Sequence, residues 1–225
     1  MLKLGVLISG RGTNLQSLID ACAEPDFPAR IALVLSNRPD AAGLARAEKA
    51  GIPHQIVDHK AYPGREAFER DLDAALRTAD VDLVCSAGFM RVLTPWFVEA
   101  WWDRQLNIHP SLLPAFRGLH VHEQALAAGV RISGCTVHFV RPEMDAGPIL
   151  AQAAVPVFAG DTPETLAARV LEAEHKLYPL AIRLIGEGKV KVVGEQVMID
   201  VPSPTTGVLF SPPGPQPTSS IWEKK

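Results

Sequence analysis

Two rhythms of apolar residues run through the first hundred positions, and they alternate. Leu2 to Ser9, Ile31 to Ser36, Ile52 to Val57 and Val81 to Ser86 are short, nearly continuous apolar runs rich in Val, Ile and Leu. Such runs mark strands buried on both faces. Between them lie stretches with helical spacing. Thr13 to Ala23 keeps Leu15, Leu18 and Ile19 on one side, Ala41 to Ala50 is alanine-rich and stopped by Gly51, and Arg65 to Arg77 sets Phe68, Leu72 and Leu76 on one face. A further helix begins near Pro95, and Gln105 to Ile108 is another apolar run. Strands alternating with helices of this length predict βαβ units and a parallel sheet covered on both sides. The pattern changes after Gly129. Arg131 to Arg141 and Pro148 to Val157 alternate across a polar turn, Pro142 to Gly147, and read as antiparallel strands. Thr162 to Gly186 is a long helix with Thr162 as N-cap and Pro163 in its first turn. The expected fold is α/β: a doubly wound, mostly parallel, Rossmann-like sheet with antiparallel strands added in the carboxyl-terminal half.

Ligands of such sheets sit beyond the carboxyl ends of the strands. That rule places Ser9 to Asn14, Ser86 to Leu93 and Asn107 to His109 along one edge. Residues 1–200 form the expected domain, with a phosphate-binding half over 1–100 and a catalytic half over 101–200. From residue 201 to 225 the composition shifts to Pro, Ser, Thr and Gly, with six prolines, and this reads as a flexible tail.

The chain has 225 residues, 47% of them apolar, and a net charge of −3, which suits a soluble globular protein. Lys and Arg are slightly outnumbered by Asp and Glu and form no basic run, so nucleic acid is not an expected partner. No apolar stretch approaches a membrane span, and the amino terminus lacks the regions of a signal peptide. Cys22, Cys85 and Cys135 are odd in number and widely spaced among apolar neighbours. Buried core thiols in a reducing cytoplasm are the expectation.

The most informative octet is Asn107-Ile108-His109-Pro110-Ser111-Leu112-Leu113-Pro114. On an extended backbone Asn107 and His109 project the same way, and Pro110 then ends the strand. A neutral donor beside a proton carrier suits acyl transfer, one for the oxyanion and one for the proton. Asp145 is the best partner for His109, since a nearby carboxylate favours the charged imidazole; an ordinary turn aspartate is equally compatible with its spacing. The turn Ser9-Gly10-Arg11-Gly12-Thr13-Asn14 lets backbone and a helix start approach a phosphate, although it lacks the third glycine of the dinucleotide fingerprint. Glu174 falls inside the apolar arc of the last helix, among Leu166, Val170, Leu177, Ala181 and Leu184. A buried carboxylate there needs a protein cation or a ligand's amine or hydroxyls. His109, His120, His122 and His138 raise the alternative of a zinc site, with His120 and His122 as a possible ligand pair, but no Asp, Glu or Cys stands at a useful spacing near that pair and no metal is expected. Arg65 and Arg91 could hold an anionic ligand.

With those residues in place, the chain resembles the phosphoribosylglycinamide formyltransferase family over about Leu2 to Met198. The marks are Leu7 to Leu15, Ala87-Gly88-Phe89-Met90-Arg91, Asn107 to Pro114, Gly118-Leu119-His120, Val137-His138-Phe139-Val140, Met144 to Pro148, and Glu174-His175 before Tyr178-Pro179. The Asn-x-His-Pro-Ser-Leu-Leu-Pro element is common to the wider formyltransferase group; Gly-Leu-His and the glycine-rich first loop narrow the choice. Ala115-Phe116-Arg117 and Arg11 are departures that bear on loop shape and local charge.

The resemblance implies the formyltransferase fold and transfer of a formyl group from 10-formyltetrahydrofolate to the amine of glycinamide ribonucleotide. It implies Asn107, His109 and Asp145 as the catalytic set. Gly12, Thr13, Asn14 and Glu174 would bind the nucleotide. Arg65, Met90, Arg91, Val92, Leu93, Asn107, Val140, Arg141, Glu143 and Asp145 would bind the folate co-substrate. A monomer or homodimer working on small molecules in the cytoplasm follows. A methionyl-tRNA formyltransferase would bring a further domain and a basic surface, and a formyltetrahydrofolate hydrolase an added amino-terminal module. A non-catalytic nucleotide-binding module and a zinc hydrolase are the rivals from other classes.

Overall fold

A computed structural model describes residues 1–201, so the tail expected over 201–225 lies, past Val201, outside the described residues. Five parallel strands come first in the chain: β1 (Leu2–Ile8), β2 (Ala29–Ser36), β3 (His54–Ile56), β4 (Leu83–Ser86) and β5 (Gln105–His109). Two antiparallel strands follow, β6 (Ile132–Phe139) and β7 (Ile149–Pro156). The spatial order is β3-β2-β1-β4-β5-β6-β7, so the strand order reverses between β1 and β4. This is the mostly parallel, doubly wound sheet that the apolar rhythm predicts, with the antiparallel strands of the carboxyl-terminal half added beyond β5.

Helices α1 (Thr13–Cys22), α2 (Gly43–Lys49), α3 (Arg65–Thr78), α4 (Pro95–Ala100), α5 (Val121–Ala127) and α6 (Pro163–Gly186) cover the sheet. Alternation along the strands divides the core in two. Leu4, Val6 and Ile8 of β1 join Leu15 and Leu18 of α1 and Leu166, Val170 and Leu177 of α6. Leu7 points the other way, toward Phe68, Leu72 and Leu76 of α3 and Phe97 and Trp101 near α4. On β5, Leu106 and Ile108 enter the first of these clusters, which leaves Gln105, Asn107 and His109 on the opposite face.

The start of α6 follows its sequence signals. Thr162 Oγ1 accepts from the Thr165 amide, the Thr165 hydroxyl oxygen accepts from the Thr162 amide, and Pro163 takes the first turn. Three differences from the sequence reading stand out. The third strand is only three residues long, its side chains exposed at the sheet edge. Helix α5 arises from a segment without a long apolar period. Residues 190–199 form a separate hairpin, β8 (Val190–Val193) with β9 (Gln196–Ile199), closed by Gly194-Glu195. No helix among the described residues is long and apolar enough to cross a membrane.

Candidate active site

The carboxyl ends of β1, β4 and β5 are neighbours in the sheet, so the three loops of interest share one edge. Ser9 ties two of them together: its hydroxyl donates to Asn37 Oδ1 at 2.6 Å and accepts from the Met90 amide at 2.8 Å. Beside this edge a cleft of about 600 Å3 runs along the Asn107 face of β5. Among the sequence-predicted residues, Met90, Arg91, Val92 and Leu93 line it from one side, and Val140, Arg141 and Asp145 from the other, with Asn107 and His109 at its floor.

His109 is 5% exposed. Its Nε2 meets the Phe116 carbonyl at 2.9 Å, and its Nδ1 lies 3.4 Å from Asp145 Oδ1. Both ring nitrogens therefore face acceptors. A neutral ring donates to only one of them, whereas imidazolium donates toward both. Asp145 is itself held, its Oδ2 accepting from the Gly118 amide at 2.7 Å. The loop that carries Asp145 is tightly specified. Asp145 has φ 49°, a left-handed conformation uncommon for residues other than glycine. Gly147 has φ 129°, and a Cβ there would come within 2.2 Å of the Phe139 carbonyl oxygen. This loop geometry is what returns the carboxylate to the imidazole.

Antiparallel pairing supplies a residue whose role the sequence reading missed. Asn107 pairs with His138 across β5 and β6. His138 is 2% exposed, and its Nδ1 donates to the Phe139 carbonyl at 3.0 Å. Its Nε2 is then the acceptor that faces Asn107 Nδ2 at 3.3 Å. Burial pushes the His138 pKa down, against the Phe139 carbonyl and the Asp145 charge that raise it. A neutral ring in this tautomer takes one N–H of the Asn107 amide and leaves the other for a ligand. The available signal was the alternation of β6, which puts residue 138 opposite residue 107.

The expected nucleotide residues gather elsewhere on the same edge. Glu174 is 6% exposed and, among the described residues, pairs with no cation; instead Asn14 Nδ2 donates to its Oε2 at 2.7 Å. Burial raises the Glu174 pKa, and the Asn14 hydrogen bond only partly counters this. Asn14 Oδ1 is buried without a hydrogen-bond partner among the described residues. Gly12 has φ 68°, and a Cβ there would meet Gly43 Cα at 2.6 Å. Close contact with α2 thus requires glycine at 12 whether or not an anion binds. Thr13 borders a second cleft, of about 580 Å3 between α1 and α6, with Arg46, His175 and Lys176.

Three expected folate residues sit differently from the others. Arg65 is exposed in the first turn of α3, away from the main cleft. Glu143 is exposed and pairs with Arg117 at 2.8 Å. Arg141 lines the cleft, yet its guanidinium is held by Asp103 at 2.8 Å and Glu195 at 3.1 Å and stacks 3.9 Å over Trp102. The hairpin β8–β9 contributes Glu195 and so braces the loop that follows β6. His120 is exposed, 3.3 Å from Glu123. His122 is half-buried with its pKa lowered by burial. Among the described residues no three His, Cys, Asp or Glu side chains are grouped to hold a metal ion.

The formyl transferase family pattern matches residues 2–182. The chain belongs to the formyl transferase family. This formyl transferase is 45% identical to the Escherichia coli phosphoribosylglycinamide formyltransferase, over 88% of this chain and 94% of that protein. It is 53% identical to the bovine trifunctional purine biosynthetic protein adenosine-3 over 84% of its length, but spans only 19% of that larger protein. A solved relative, glycinamide ribonucleotide transformylase 1 from Symbiobacterium toebii, superposes with a TM-score of 0.86 at 52% identity, covering 88% of the formyl transferase and 94% of that chain.

Proposed function

We propose that this formyl transferase moves the formyl group of 10-formyltetrahydrofolate to the primary amine of glycinamide ribonucleotide. The observation that carries this reading is the meeting of the Asn107 amide, the His109 imidazole and the Asp145 carboxylate at one cleft on the ligand-binding edge of the sheet. The likeness to glycinamide ribonucleotide transformylases over nearly their whole length supports the choice of substrate.

The amine lone pair attacks the formyl carbon, and the formyl oxygen takes up negative charge. The free N–H of Asn107 donates to that oxygen, and imidazolium at His109, balanced by Asp145, adds positive charge beside it. The C–N10 bond then breaks. The amine gives up one proton and N10 gains one, so the reaction consumes no proton overall, and His109 carries it between them. That step requires one ring N–H to leave its present acceptor, so a small turn of the ring is part of the scheme. Asn14 and Glu174 form a neutral-amide and buried-acid pair suited to the hydroxyls or amine of the nucleotide, and the loop at Gly12 and Thr13 to its phosphate. The continuous seven-stranded sheet supports treating residues 1–200 as one domain. The thiols of buried Cys85 and Cys135 and of part-buried Cys22, with Cys22 pushed up to about 11 and Cys135 to about 12 by burial, are poorly reactive and suit a reducing cytoplasmic setting.

The test is a formyl-transfer assay that follows folate absorbance with glycinamide ribonucleotide present and absent. Turnover only with the amine supports transfer; equal turnover without it would make the protein a hydrolase. No turnover in either arm would reduce it to a binding module.

A further inference from the structure

The cleft contains a polar side chain that the catalytic scheme does not use. Gln105 opens β5 and is 2% exposed. Its backbone is committed, the carbonyl accepting from the Val140 amide at 2.9 Å. Its side chain is not: neither Oε1 nor Nε2 has a hydrogen-bond partner among the described residues, although both atoms are buried. Gln105 lines the cleft together with the apolar Leu93, Val98 and Val140 and with polar residues such as Asn107 and Arg141, none of which bonds its amide. A primary amide offers two donors and an acceptor, and leaving them buried and unpaired costs stability. Such groups in native proteins call for a specific explanation.

The strand supplies one. Gln105, Asn107 and His109 occupy alternate positions on β5, so they share a face. At a rise of about 3.3 Å per residue, Gln105 stands about 7 Å from Asn107 and about 13 Å from His109 along the strand. The formyl-bearing nitrogen of the co-substrate joins its bicyclic ring through a single methylene, and the far edge of that ring carries a carbonyl, a ring N–H and an amino group side by side. With the formyl carbon at Asn107 and His109, a ligand lying along the strand brings that edge to the Gln105 end of the cleft.

We propose that Gln105 reads the reduced pterin ring of the folate co-substrate, its amide pairing with adjacent donor and acceptor groups on the ring edge. It is a specificity residue, remote from the transferred carbon, and the inference rests on the folate reading of the cleft. The sequence concealed it, because Gln105 begins a run otherwise read as apolar.

Tetrahydrofolate and p-aminobenzoylglutamate, which lacks the ring, serve as probes in titrations of the full chain and of Gln105→Leu and Gln105→Met. Thermal unfolding of each unliganded variant checks that it is folded. The expected result is a loss of about tenfold or more in tetrahydrofolate affinity for both variants, with affinity for the ring-free fragment unchanged and unliganded stability unchanged or higher. Unaltered tetrahydrofolate affinity overturns the proposal, and so does equal weakening of both probes, which would make Gln105 a shaper of the cleft wall. If the unsubstituted protein binds no tetrahydrofolate at all, the folate reading of the cleft fails first and the role of Gln105 with it. Selective loss for the ring-bearing ligand alone sustains the proposal.

Discussion

Two carboxylates on the same edge of the sheet, the part-buried Asp145 and the buried Glu174, live in opposite surroundings. Asp145 faces an imidazole at 3.4 Å and a backbone amide at 2.7 Å. Among the described residues Glu174 is hydrogen-bonded by the neutral amide of Asn14 at 2.7 Å, and burial raises its pKa. The first environment organises charge and the second discourages it. The contrast separates a group arranged for a charged transition state from one arranged to recognise a polar ligand, with the nucleotide as the ligand proposed here.

The largest expected effect is on the Asp145 side. His109→Ala and Asp145→Ala should each lose on the order of a hundredfold or more in kcat while nucleotide binding, followed by calorimetry, persists. Near-normal turnover in either variant would remove that residue from the scheme and collapse the contrast. Next comes His138→Leu, which takes away the acceptor that orients Asn107. A fall of about tenfold in kcat with little change in KM is expected from the loss of one hydrogen bond, and steady-state kinetics reads it.

Glu174→Gln sharpens the comparison from the other side. Because the folded state raises this pKa, the native protein binds more protons than the unfolded chain, so the acid erodes stability as pH rises above its ordinary value near 4.5. The amide variant should unfold at a higher temperature than the parent at pH 7.5 and at the same temperature at pH 4, with each kcal/mol gained worth about 2–4 °C. Nucleotide affinity should fall in the same variant. Equal melting shifts at both pH values would show that charge burial is not the cause. Two histidines, the buried His138 and the half-buried His122, carry the opposite sign. Burial lowers the pKa of His138 and His122, so their contribution is present above pH 6.5 and is lost as pH falls through that value toward the folded pKa. Urea midpoints should drop between pH 7.5 and pH 5.5, and less steeply in His138→Gln. The smallest effect belongs to Glu195→Ala: an exposed partner of Arg141 should change stability by less than about 1 kcal/mol, measured by the same urea titration.

The parallel half of the fold was legible because strands buried on two faces leave an unmistakable apolar record, and Thr162 with Pro163 announces α6. The hairpin at 190–199 was not foreseen, although its side chains alternate around Gly194-Glu195 in the manner of a two-residue turn. Four-residue strands carry too little pattern to stand out beside a 24-residue helix. At the site, the alternation of Asn107 and His109 was readable within one strand. Glu174 was readable as misplaced in an apolar stripe, but not its partner, since Asn14 lies 160 positions away. Asp145 and His138 reach the site through the turn geometry of residues 142–147 and the register of β6, neither of which local composition encodes. Gln105 was hidden because it opens a strand whose next residues, Leu106 and Ile108, read as core, and only the fold shows that the alternate face of that strand borders a cleft.

The two neighbours of β5 run in different directions, β4 parallel and β6 antiparallel, and both lock its position. Adding a single residue just ahead of this strand would turn it over as a unit. Leu106 and Ile108 would then floor the cleft, while an amide and an imidazole would be forced into the hydrophobic interior. Evolution can therefore lengthen the segment before β5 only in a bulge that leaves the strand's phase intact, and the chemistry of this protein is as sensitive to counting as it is to composition.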